Sequence, residues 1–298
     1  VLRVSALLTC AFVMTHPVWT ATAGPISASV RPIPVRSEFS RVITVTQPGS
    51  VTVSLRNPQG SVAIKRWKQR AIVVRAVKRF AGPPARQTWL LDAAVDVKEA
   101  APNQVDIQAR WSVGDKAPAI GDGALDYVLA VPEDTCVLVE QEKGPVLAHG
   151  LNGRLRIRLR EGDIRVSDLT GWAQLTTERG AITVEGVSGD LFADSQSGTI
   201  TASRADSDVM LKSNRGNVAL RLAPTFLGEL EAHTVNGTFN CDGILSQSDH
   251  PEDVPGFTGL VRGPLATGQR AVRRIQIDTV RGDIRVLTGS DSPMGWTL

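Results

Sequence analysis

Glycine recurs at a fixed interval through the second half of the chain: Gly144, Gly153, Gly162, Gly171, Gly180, Gly189, Gly198 and, after one missed slot at Ser207, Gly216. The interval is nine residues throughout, and 27 glycines among 298 residues do not fall into such a run by chance. Self-similarity at a fixed period marks a repeat architecture. The units share one interior: the residues two and four places after each slot are apolar. They are Leu155/Ile157, Ile164/Val166, Ala173/Leu175, Ile182/Val184, Leu191/Ala193, Ile200/Ala202, Val209/Leu211 and Val218/Leu220. Strand side chains alternate between faces, so each pair points one way, and nine residues make a short strand plus a glycine turn.

A second rhythm runs at eighteen residues. Seven places after every other glycine stands an apolar residue (Leu151, Leu169, Val187, Ala205, Ala223), while the intervening units carry Arg160, Glu178, Gln196 and Asn214 there. The repeat is therefore two strands with two different corners, one tucked inward and one solvated. Two folds accommodate it. A flattened β-solenoid stacks each strand on the one eighteen residues later, about 4.8 Å away. A long antiparallel meander is the alternative, but it needs another layer over its apolar face and open sheets of that width curl or split. The solenoid closes its own core and is the preferred reading.

The remaining chain reads as all-β too. Period-two, β-branched runs ("RVITVTQ", "SVTVSLRN", "SVAIKRW", "AIVVRAVKRF", "WLLDAAVDV", "QVDIQARWSV", "LDYVLAVP") are broken by Pro, Gly and Asn turns, and no helical period is sustained. These N-terminal strands are expected to be antiparallel. The rhythm slips at "LAPTF", resumes at Gly228 and Gly237, is interrupted by a Pro/Gly-rich insertion over 242–268, and returns as "RIQIDTVRGDIRV", whose strands are expected to cap the stack. Arg3, the apolar run Val4–Met14 and Ala21-Thr22-Ala23 match an export signal. The expected organisation is a signal peptide at 1–23, a linker at 24–40, an N-terminal β-strand region at 41–125, a β-solenoid at 126–289 and a tail at 290–298. No other stretch reaches the length of a membrane-spanning helix, so no transmembrane span is expected in the mature chain. Cys136 and Cys241 fall six repeats apart, roughly 29 Å at 4.8 Å per step, too far for a disulfide.

The ordered motifs resemble a bacterial putative-adhesin family of unknown function. The family's opening strands match "GSVTVSLRNPQGSVAIKRW", its pre-repeat segment matches "YVLAVPEDT", its repeats match "GDIRV", "GAITV", "GDLFA" and "GTITA", and its close matches "TVNGTF" and "TVRGDIRV". The match spans about 41–289. The resemblance implies a β-solenoid in the cell envelope and brings no catalytic residues.

Sequence chemistry is sparse. A phosphate-binding Gly-rich Lys loop, a Gly-x-Ser-x-Gly elbow, His-Glu-x-x-His and Cys-x-x-Cys are all missing, so neither a metal site nor a cofactor is expected. A net charge of +3, from 33 basic and 30 acidic residues, does not call for nucleic acid. His149 and His233 are expected on opposite sheets. Asp190, Asp208 and Glu229 are expected as an acidic ladder, one coil apart. They could share a cation or act as an acid–nucleophile pair, against the plainer reading of a solvated corner. Trp172, Phe192 and Met210 are expected outward on that same sheet, covered by other parts of the chain or serving as a ligand platform. Arg154, Arg156, Arg158 and Arg160 alternate along one strand as a basic stripe, with Arg165 in the next unit. Asp249, His250, Glu252 and Asp253 lie in the insertion without a metal-ligand spacing. Arg281-Gly282-Asp283 fits the repeat already, and its likeness to an integrin-binding triplet is read as coincidence.

The reading that follows is a non-catalytic exported protein of the periplasm or cell surface, adhesin-like or scaffolding. Its partner would be an anionic glycan, a lipid head group or another envelope protein. The rival is a carbohydrate-active enzyme using the Asp190/Asp208/Glu229 ladder.

Overall fold

The computed structural model describes residues 35–45, 49–80, 93–111, 123–223, 226–242, 244–245, 256–262 and 273–288. The expected signal peptide, the tail and the acidic cluster Asp249–Asp253 lie outside them. The described residues are all-β, without a helix, and none of them forms a helix long and apolar enough to cross a membrane.

The strands are β1 (Val35–Thr44), β2 (Val51–Gln59), β3 (Val62–Arg66), β4 (Ala71–Phe80), β5 (Ala93–Ala101), β6 (Gln104–Trp111) and β7 (Gly123–Val131). There follow β8 (Thr135–Lys143), β9 (Val146–His149), β10 (Asn152–Glu161), β11 (Ile164–Arg179), β12 (Ile182–Ser188), β13 (Leu191–Ser197), β14 (Ile200–Ala205), β15 (Val209–Arg215) and β16 (Val218–Leu222). The last are β17 (Leu227–Asn236), β18 (Phe239–Asp242), β19 (Ile244–Leu245), β20 (Gly256–Arg262), β21 (Arg273–Arg281) and β22 (Ile284–Thr288).

Pairing follows the eighteen-residue rhythm. In one parallel ladder, Val137 pairs with Leu155, Ala173 with Leu191 and Leu191 with Val209. In the other, Val146 pairs with Ile164, Ile164 with Ile182, Ile182 with Ile200 and Ile200 with Val218. The aliphatic side chains of both ladders fill one core, in which Ile164, Ile182 and Ile200 are fully buried. Strand β11 bends through a corner and belongs to both ladders, so all the strands join in one large sheet.

The two corners differ as the sequence suggested. Leu151, Leu169, Val187 and Ala205 are buried at one, and Arg160, Glu178, Gln196 and Asn214 are exposed at the other. Glycine fills most of the stacked corners because a side chain has no room there, Ser207 being an exception. A Cβ on Gly180 would sit 1.9 Å from the Gly162 carbonyl oxygen, and one on Gly198 would sit 2.0 Å from that of Gly180. Inside the same corner a polar column seals the end of the core. The buried hydroxyls of Ser195 and Ser213 donate to the carbonyls of Gly180 and Gly198, both at 3.3 Å, and Gln141 Nε2 donates to Gly60 at 2.7 Å. Corner aspartates bind the neighbouring level: Asp163 accepts from the Ala181 N–H at 2.9 Å, and Asp283 from the Thr238 N–H at 2.8 Å.

Several expectations are corrected. The N-terminal strands are not simply antiparallel: β2 and β3 pair in parallel with β8 and β9, and β6 and β7 pair in parallel with β2 and β3. Antiparallel pairing is confined among them to β1–β4, β4–β7 and β5–β6. Strand β1 starts at Val35, inside the stretch expected as linker. The 242–268 segment contains β20, which pairs antiparallel with β17. The last strands do not cap the stack. β21 lies between β15 and β17, and β22 lies between β16 and β18. At the opposite end β2 and β3, early in the chain, are likewise held between later strands.

Candidate functional site

The outward face of the first ladder is a grid, because alternate residues of each in-register strand point out and successive strands lie about 4.8 Å apart. Its first row is Arg154, Arg156 and Arg158 on β10. In line with them on β11 are Trp172, Gln174 and Thr176. The next row, on β13, holds Phe192 beside Gln174 and Asp194 beside Thr176, and Asp190 falls in line with Trp172 by the same register. The fourth row, on β15, sets Met210 beside Phe192 and Lys212 beside Asp194. Trp172 is 36% exposed, and Phe192 and Met210 are half-buried. Among the described residues, the N-terminal strands and β20 extend the ladders edge to edge and do not lie across this face.

The arginines are not equivalent. Arg160 meets Glu178 at 3.8 Å. The nearest acid to Arg158 along its column, Glu140, is taken by Arg56 at 3.1 Å. Arg154, Arg156 and Arg158 make no ion pair within the described residues, and the Nε of Arg156 is buried without a hydrogen-bond partner. A buried donor left unmade costs about 1–3 kcal/mol. Arg165 does not join the stripe; it lies in the other ladder, between Leu147 and Thr183.

The acidic ladder is broken. Strand β21 places Arg274 between Asp208 and Glu229, and the Asp208 carboxylate accepts the Arg274 backbone N–H at 2.8 Å. Asp190 and Asp208 remain neighbours, but one of the two is already engaged, which is poor geometry for an acid–nucleophile pair. Asp194 is half-buried; burial pushes its carboxyl up, and the nearby Lys212 opposes that. Lys212 itself closes on Asp278 at 3.7 Å.

Other clusters carry less. His149 and His233 lie in different ladders and do not meet. His149 does meet Ser167 at 2.9 Å and Asp168 at 3.4 Å, a combination the sequence reading missed. Both contacts use the same ring nitrogen, Nδ1, whereas a nucleophilic triad needs one on each nitrogen. A cavity of about 360 Å³ opens near β1 and β6, with Ile43, Val45, Ile72 and Val105 as its apolar lining and Glu99 as its one ionisable residue. The Asp283 carboxylate of the Arg-Gly-Asp triplet is occupied by Thr238, whose N–H and hydroxyl hold it below the usual carboxylate range. Cys136 and Cys241 form no disulfide with each other. No group of three or more His, Cys, Asp or Glu side chains could hold a metal ion among the described residues.

No family model matches the chain, and no curated protein matches it. Solved structures do. A putative cell adhesion protein from Clostridium sporogenes aligns over 86% of this chain and 100% of its own, at 8% identity and a TM-score of 0.37. A putative adhesin from Bacteroides fragilis aligns over 84% and 97%, at 10% identity and a TM-score of 0.35. One from Parabacteroides distasonis aligns over the same shares, at 10% identity and a TM-score of 0.26.

Proposed function

We propose that this chain is an exported, adhesin-like envelope protein that binds and does not catalyse. It is built as a β-solenoid of about eighteen residues per two-strand coil, and the Arg154/Arg156/Arg158 row with Trp172, Phe192 and Met210 is its ligand face. The eighteen-residue pairing offset supports the solenoid, and the sequence of residues 1–23 supports export. One observation carries the ligand face: three neighbouring arginines without a carboxylate partner among the described residues, beside an exposed tryptophan. Guanidinium forks match phosphate and carboxylate geometry, and an aromatic face gives a sugar or head group something to stack on. The ligand class is an envelope component bearing such an anion.

The test is a glycan and lipid array on the protein, repeated with Arg154→Ser, Arg156→Ser and Arg158→Ser combined. Binding that falls at least tenfold, the worth of about one charge-assisted contact, and that weakens with salt, supports the face. Binding that survives the triple substitution places the ligand elsewhere. Turnover in a polysaccharide degradation screen, lost with Asp190→Asn, would make the chain an enzyme instead.

A further inference from the structure

The charges on the ligand face are ordered, and the order narrows the ligand. The arginine row lies on β10, the acid row lies at the next level but one, with Asp194 on β13 and Asp190 just before it, and the Trp172 row on β11 separates them. Arginine and acid rows are therefore two strand spacings apart, about 9.6 Å. Among the described residues neither Asp190 nor Asp194 makes an ion pair with an arginine of β10; Lys212 stands beside Asp194, attracts it, and also closes on Asp278 at 3.7 Å.

A uniform polyanion crossing this face would meet the arginines favourably and the two aspartates unfavourably. A short zwitterion satisfies both rows. Resting on the reading of this face as the binding face, we infer that it recognises a phosphate–ammonium zwitterion, in the form of phosphoethanolamine head groups on a lipid surface. The phosphate lies on Arg154 and Arg156, neither of which makes an ion pair among the described residues. The ammonium lies over Trp172, where an aromatic face attracts a cation, and is closed by Asp190, which falls in line with Trp172 at the next level. The spacing leaves room for a group with its two charges two carbons apart and a charge-assisted hydrogen bond of roughly 2.8 Å at each end.

The experiment titrates the protein calorimetrically with O-phosphoethanolamine and with ethyl phosphate, which lacks the amine. Sedimentation with vesicles containing phosphatidylethanolamine is compared with sedimentation with phosphatidylglycerol vesicles. Phosphoethanolamine is expected to bind roughly tenfold tighter than ethyl phosphate, one charge-assisted contact's worth. Asp190→Asn is expected to erase that preference, Asp194→Asn to leave it, and Arg154→Ser with Arg156→Ser to abolish both affinities. The phosphatidylethanolamine vesicles are expected to carry down more protein. Thermal melts confirm that each variant folds. Equal affinity for the two phosphates, or stronger sedimentation with phosphatidylglycerol, overturns the zwitterion and leaves an anion-binding face. Binding of soluble phosphoethanolamine without binding of the vesicles overturns the lipid source. A protein that binds neither phosphate nor any array component through these arginines loses the binding face as well.

Discussion

At the scale of single residues the fold depends on how closely its corners stack. Gly180 has a φ of +145° and faces the Gly162 carbonyl with no room for a side chain. Gly150, at the other kind of corner, has a φ of +66°, and a Cβ placed there would meet nothing within 4 Å. Gly180→Ala is expected to cost about 2–4 kcal/mol, strain and clash together. Gly150→Ala is expected to cost about 1 kcal/mol, from backbone conformation alone. Equal losses of denaturation midpoint would contradict the stacked corner. The glycine rhythm and the inward aliphatics were legible because each is imposed at every level of the stack. The buried column of Thr177, Ser195 and Ser213 also recurs at eighteen residues. It escaped notice because a hydroxyl residue in a strand reads as outward, and only its bond to a corner carbonyl explains its burial.

At the scale of elements the order of strands was the least legible feature. Strands β17 and β21 carry apolar residues at matching positions, so either could pair with β15. The charge pattern favours β21. Laid directly on β15, β17 would set Glu229 beside Asp208. Inserting β21 sets Arg274 there, pairs Arg273 with Asp206 and brings Asp278 to Lys212. Ending the chain after residue 272 should therefore unpair β15 and β16 on one side and β17 and β18 on the other. The expected outcome is a large loss of thermal stability with exposure of apolar surface to a reporter dye. A truncated chain that melted like the full one would return β21 and β22 to the cap. A second clamp holds the opposite end. Burial alone would raise the Asp126 carboxyl, but hydrogen bonds from the Arg79 side chain and from the N–H and hydroxyl of Ser61 outweigh it and hold it below the usual range. A depressed folded value stabilises above the unfolded one, about 3.9, and that stability is lost as pH falls through the folded value. Asp126→Asn should lower the melting temperature at neutral pH, and its gap from the parent should shrink on acidification below about pH 4. A gap independent of pH would contradict the clamp.

At the scale of the whole molecule, regular pairing turns a one-dimensional repeat into a two-dimensional face. Arg154 and Trp172 are eighteen residues apart in sequence and adjacent in space. The arginine stripe and the outward aromatics were legible as separate features of the chain. Their adjacency followed once the register was known. The fate of the acidic residues did not, because it depended on where the final strands insert. The proposed ligand face therefore depends on the register. The direct test is oxidative cross-linking of cysteine pairs with Cys136 and Cys241 replaced by serine. Thr183 and Thr201 are in-register neighbours, at a separation that a disulfide spans, so Thr183→Cys with Thr201→Cys should cross-link readily within one chain. Thr183→Cys with Phe192→Cys, nine residues apart on different ladders, should not. The opposite result, a bond in the second pair and none in the first, would mean that the strands do not stack at eighteen-residue steps.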